Sequence, residues 1–150
     1  MPTAIEDHLA DFLDDKIGAA VEGDVLFDLE LLDTSYATVT KERFVQIDDG
    51  ESDFAPTSGG EDVAEFDGNV TLIVGRKLVK GERVHRRQAR SDAIEIAMAL
   101  AKLFFDDPTM GNRVNDSRVL RCLRGWANIK SVPYCVMNLP LIINETGAPQ

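Results

Sequence analysis

The sequence predicts a single α+β domain, and three observations predict it. Two segments carry apolar residues at helical spacing, one at the N-terminus and one from residue 92, while the stretches between and after them alternate or run apolar as strands do. The chain has 150 residues, enough for one domain that buries about 68–70% of its unfolded surface. Its hydrophobic fraction of 44% and charged fraction of 28% are those of an ordinary globular protein, which excludes wholesale disorder.

Thr3-Ala4-Ile5-Glu6 has the form of a capping box and predicts a helix start. Ile5, Leu9, Phe12, Leu13, Ile17 and Val21 then recur on one face, Asp7, Asp11, Asp14 and Asp15 load the other, and Gly23 ends the helix. Val25, Phe27, Leu29 and Leu31 alternate with Leu26, Asp28 and Glu30, the period of a strand, and a weaker strand covers Arg43 to Ile47. Residues 48–68 hold eight acids, no base, four glycines and a proline, a composition that cannot order itself unaided. They are expected to form a long acidic loop, mobile until a neighbour orders it, with Asp48, Asp49, Glu51, Asp53, Glu61 and Asp62 as candidate contacts. Phe54, Val63 and Phe66 are its large apolar anchors.

Val70, Leu72 and Val74 give the clearest strand, running toward Val79, and Lys80-Gly81 reads as a turn. Arg76, Lys77, Lys80, Arg83, Arg86, Arg87 and Arg90 fall within fifteen positions and form a candidate basic interface. Nucleic acid is a poor partner for it, because no aromatics interleave for base stacking and the whole chain is acidic. Asp92 is placed to cap a second helix whose apolar residues, from Ile94 to Phe105, occupy most of the circumference, as in a fully buried helix. LFFDDPTMG ends it against the helix dipole. Asp107 can accept from the backbone of Thr109 and Gly111 can take a positive φ, so these acids read as turn chemistry. Residues 118–129 fit a helix face nearly as well as a strand, and we read them as a strand. PYCVMNLPLIIN is a full strand whose Pro140 suggests an edge or a bulge.

Charge is polarised along the chain. Residues 1–68 carry 19 acids and 3 bases (net −16), and residues 69–150 carry 7 acids and 13 bases (net +6). Such opposite flanks suit either two solvated faces or head-to-tail contacts between identical subunits. No run approaches the about 18 apolar residues of a membrane span, and the N-terminus is acidic where a secretory signal is basic, so a cytoplasmic protein is expected.

The sequence carries no catalytic signature. Cys122 and Cys135 have no zinc spacing and read as reduced packing residues; His8 and His85 lie in unrelated surroundings. There is no phosphate loop, nucleophile elbow or dinucleotide fingerprint. The pairs Asp14/Asp15, Asp48/Asp49 and Asp106/Asp107 have solvent or turn roles, which leaves a small cytosolic acid/base enzyme only through convergence of distant carboxylates. No catalytic residue, metal or cofactor is expected.

From about Asn69 to Glu145 the chain resembles the tail terminator, or tail completion, proteins of long-tailed bacteriophages. The likeness rests on a strand and basic segment, a helix reading SDAIEIAMALAKLFF, its exit DDPTMGNRV, and PYCVMNLPLIIN near the C-terminus, in that order. It implies a mainly antiparallel sheet covered by two helices, and a hexameric ring that caps the tail tube, ends its polymerisation and offers a surface to the head connector. The expected partners are then further copies of the chain, the tail-tube protein and a connector or neck protein. The expected location is the virion's tail-neck region, reached from the host cytoplasm. A neck protein joining connector to tail is the neighbouring alternative. The acidic segment after Asp48 departs from the family pattern.

Overall fold

Two long strands set the frame. In the computed structural model, which describes residues 3–32, 39–50, 52–56 and 64–147, β4 (Ala64–Lys77) and β7 (Val132–Gly147) pair antiparallel from Ala64↔Gly147 to Lys77↔Tyr134. β2 (Arg43–Asp48) and β3 (Ser52–Pro56) lie end to end on the far side of β4, and β5 (Asp116–Val119) and β6 (Leu123–Ile129) on the far side of β7. β1 (Glu30–Leu32) pairs with β2, the one parallel pairing among the described strands. The order across the sheet is β1-β2-β4-β7-β5, so β1 forms one edge and β5 with β6 the other.

Alternation along each strand decides what the sheet buries. Val45 and Ile47, Val70, Leu72 and Val74, and Met137, Leu139 and Leu141 share one face with the buried sides of α1 (Ile5–Ala19) and α2 (Arg83–Asp106). The two helices meet through Phe12 and Phe104, whose ring centroids are 5.7 Å apart. Phe44, Ile73, Ile129 and Tyr134 form a smaller cluster on the opposite face. Gly75 is required there, since a Cβ would stand 2.1 Å from the Phe44 ring. The fold is thus α+β, a mainly antiparallel sheet covered by two helices in one domain.

Several local expectations are corrected. α1 buries Ile5, Leu9, Phe12 and Leu13 as its periodicity requires, but its N-cap is Ala4, without the capping box. It also stops at Ala19, before Gly23, because the Asp24 carboxylate accepts the Val21 N–H at 3.0 Å and draws the chain into a turn. The expected strand from Val25 shrinks to Glu30–Leu32, because Arg43 donates to the carbonyls of Val25 and Phe27 and folds the preceding residues into turns. α2 begins at Arg83, nine residues before Asp92, since Arg, Gln and Ala at 83–91 are good helix formers.

The acidic segment is not a continuous loop. Residues 52–56 and 64–68 pair as strands, Phe54 opposite Phe66, and extend the sheet beyond β2 as a β3-β4-β7 arm. Ladder bonds to a long neighbour order what the local composition could not. At the step from β2 to β3 only glycine fits, because a Cβ on Gly50 would lie 1.5 Å from the Asn69 carbonyl oxygen. Glu51, Glu61 and Asp62 lie outside the described residues.

Residues 118–129 are strand as read, but split between β5 and β6. Pro140 is internal to the sheet, paired to Thr71, and its other side meets the break between those strands, where Leu120 donates to the Pro140 carbonyl at 2.9 Å. The missing donor of proline is tolerated where its neighbour strand is interrupted. The turn after α2 is turn chemistry as read, but Asp107 does not take the Thr109 backbone N–H that its sequence suggested. Asp107 accepts from the Gly111 N–H at 2.9 Å and the Thr109 hydroxyl at 3.1 Å, and Gly111 has φ +69. Ser117 ties the turn to β5 by donating to the Pro108 carbonyl at 2.7 Å.

Candidate functional site

α2 carries more apolar residues than its core face uses. Ala89, Ala93, Ile96, Ala97, Leu100 and Phe104 are buried against the sheet. Ile94, Met98, Ala101 and Phe105, spaced four, three and four apart, form a second line beside that face. Met98 is 66% exposed and Phe105 86% exposed, so the expectation of a helix buried all round is corrected. A helix apolar around its circumference needs a partner on each side. The domain supplies one.

The second line borders a groove of about 1010 Å³ between the C-terminal half of α2 and the β5–β6 connection. Val119, Leu120 and Leu139 complete the apolar wall, and Arg118, Arg121, Arg124 and Lys102 stand around it. Lys102 is paired with Asp106 at 2.6 Å, whereas among the described residues the three arginines have no ion-pair partner. Cys122 also lines the groove and is exposed, which corrects its reading as a packing residue; Cys135 is buried as read. The Cys122 residue is exposed but its Sγ turns in toward Met137 Sδ at 3.8 Å, and desolvation raises this thiol and that of buried Cys135 above the ordinary value, opposite to the shift that activates a nucleophile.

Toward the helix N-terminus the same line continues as Arg83, Arg87 and Arg90, beside a smaller pocket of about 460 Å³. Arg86 lies 4.4 Å over the Trp126 ring on β6. These cations occupy the first two turns, where the helix dipole disfavours them, and Asp106 ends the helix where it disfavours anions. α2 therefore carries its terminal charges against its own dipole.

Of the sequence-predicted basic interface, the fold brings Arg83, Arg87 and Arg90 together on one helix face and leaves Lys80 exposed in the preceding connection. Arg76 is spent internally. Its side chain is 14% exposed and bridges Glu42 at 3.2 Å and Asp92 at 3.1 Å, joining β4, the β2 approach and α2. Lys77 is half-buried. The acidic candidates lie elsewhere: Asp48 and Asp49 at the end of β2, Asp53 and Phe54 in β3, Phe66 in β4. Phe66 and Arg76 are ten positions apart on β4, on the order of 30 Å at about 3.3 Å per residue, so among the described residues of one subunit the acidic arm and the basic helix do not meet. Sequence reasoning missed Arg118, Arg121, Arg124, Met98 and Phe105 as surface groups. The signal for the last two was the excess of apolar positions on α2.

Elsewhere, His8 Nε2 lies 3.9 Å from Glu145, whose carboxyl is raised above the ordinary value by burial, with His8 opposing and Glu6 adding to the shift. Neither residue borders the groove or the smaller pocket. Among the described residues no group of three or more His, Cys, Asp or Glu is placed to hold a metal ion, and no helix is long and apolar enough to cross a membrane. No family model matches the chain, and no match was found among curated proteins.

Proposed function

We infer that the protein is a structural subunit of a bacteriophage tail, which forms a ring on the end of the tail tube, stops its growth and presents a surface for head attachment. The function is binding without chemistry, and the chain needs no cofactor for it. The observation that carries the reading is the basic-rimmed apolar groove left in water at one sheet edge of a strongly acidic chain. A contiguous apolar surface of this kind is the mark of an association site, and its arginines, unpaired among the described residues, select an acidic partner. The order of motifs from Asn69 to Glu145 supplies the resemblance to tail terminators, and the α+β architecture agrees with what that resemblance implies.

Native mass spectrometry across a protein-concentration and salt series tests the reading, together with tail-tube polymerisation in the presence of the chain. The expected results are a ring that weakens as salt rises, because exposed charges are screened beyond about 8 Å at physiological ionic strength, and tubes that cease to lengthen. A chain that stays monomeric at every concentration, alone and with tail-tube protein, and leaves tube length unchanged, would overturn it.

A further inference from the structure

We propose that the groove beside α2 receives a second copy of this chain through the acidic turn at 21–28, each copy offering the turn at one sheet edge and the groove at the other. The proposal deepens the ring reading and rests on it in taking the occupant to be another copy.

The turn has the groove's pattern with the sign of charge reversed. Between α1 and β1 it leaves Val21 65%, Phe27 41% and Val25 36% exposed, among the exposed acids Glu22, Asp24 and Asp28. Its shape is held in the free subunit. Asp24 fastens the Val21 N–H, Arg43 Nη1 donates to the Phe27 carbonyl at 3.0 Å and Nη2 to that of Val25, and Lys41 pairs with Asp28 at 2.6 Å. An apolar knob held this way loses little entropy on docking.

Topology then decides how copies meet. The turn leads directly into β1, the outermost strand on one side, and the groove borders β5 and β6 on the other. Two grooves face to face would set Arg118, Arg121 and Arg124 against themselves, and two turns would oppose acid to acid. Both self-complementary pairings are disfavoured by like charge, which leaves the heterologous contact of turn into groove. Such a contact repeats from copy to copy and closes when the rotation between copies allows.

The groove supplies its own probe in Cys122. A full-length Val21→Cys chain is treated with a short bismaleimide and the linked peptides are mapped; a link between positions 21 and 122 of different copies is expected, and Cys122→Ser should abolish it. In parallel, Phe105→Asp should weaken self-association by roughly tenfold or more, as loss of an aromatic anchor does, while its melting temperature stays near that of the unaltered chain. Glu22→Arg and Arg121→Glu should each weaken it by roughly three- to tenfold, and one chain carrying both should recover. If the Val21→Cys chain assembles but gives no such link, or if Phe105→Asp assembles normally, the contact is wrong and the ring reading stands on some other interface. A chain that never self-associates overturns both.

Discussion

The two lateral edges of the sheet leave apolar side chains in water in different ways. At the β1 edge the exposed Val21, Val25 and Phe27 ride on a turn fastened by polar links that span sixteen to eighteen residues of chain, from Arg43 to the carbonyls of Phe27 and Val25. At the β5–β6 edge the exposed Met98 and Phe105 project from a 24-residue helix whose other side is locked into the core. One edge is shaped by hydrogen bonds and charge, the other by packing. A docking surface can therefore be held rigid by either means, but the two should respond differently to substitution and to pH.

The sharpest break lies within two adjacent residues of α2. Phe104 is 1% exposed and packs at a tilt against Phe12, so Phe104→Ala should cost about 3–5 kcal/mol. Phe105→Ala should change stability by no more than about 0.5 kcal/mol, while weakening assembly. Denaturant titration of both variants, with sedimentation of the second, checks the pair. Equal losses of stability would mean that the outer line of α2 is core after all.

At the turn edge, Arg43→Met keeps the aliphatic bulk and removes both donations, with an expected loss of about 1.5 kcal/mol or more. Hydrogen exchange separates the two edges. The amides of Phe27 and Leu29 should lose protection in Arg43→Met, and those of β6 should keep theirs.

A smaller effect is expected at the turn that feeds the groove edge. Asp107→Ala removes the acceptor for the Gly111 N–H and should cost about 0.5–1.5 kcal/mol. Asp106→Asn gives up only an exposed pair with Lys102 and relieves a charge at the helix C-terminus, so melting should barely move. An Asp106→Asn chain that melts normally but no longer ends tube growth would assign that carboxylate a role beyond the turn.

The smallest effect is pH-linked and lies at the turn edge. Burial of Glu30 opposes its ionisation, but donations from the Thr40 and Lys41 N–H groups and the Thr40 hydroxyl outweigh it, and its pKa falls below the ordinary value. A carboxylate depressed in the fold adds stability that is present above the unfolded value of about 4.3 and is lost as pH falls through the folded one. Glu30→Gln lacks this contribution, so its stability deficit against the unaltered chain should shrink as pH is lowered through that window in urea melts. A deficit independent of pH would show that the hydrogen bonds matter and the charge does not.

Much of the fold is legible because its signals are local. The buried face of α1, the alternation of β4 and the turn chemistry of Asp107 and Gly111 each depend on residues within a few positions of one another. The errors fall where a distant group decides. Asp92 looks like a helix cap in its own neighbourhood, yet its carboxylate belongs to Arg76 on β4. Val25 to Leu29 alternate like a strand, but Arg43 binds the carbonyls of Val25 and Phe27 and turns the chain there. Part of the candidate site was legible too, since Arg83, Arg87 and Arg90 do share a surface, while Arg76 does not join them.

The class of fold, one domain of two helices and an alternating sheet, is readable from the chain's local patterning, because burial periodicity is written into neighbouring residues and needs no partner to be read. The polarity of the chain, acidic up to residue 68 and basic after it, is equally plain in the residues themselves. Where those charges stand depends on long-range pairing. Strand order set the turn at 21–28 and the arginines of β5 and β6 on opposite edges, and the sheet, by covering one side of α2 and not the other, turned Met98 and Phe105 from core residues into surface. Such placements follow from ladder pairings and ion pairs between residues far apart in the chain, and no local pattern encodes which distant group will arrive.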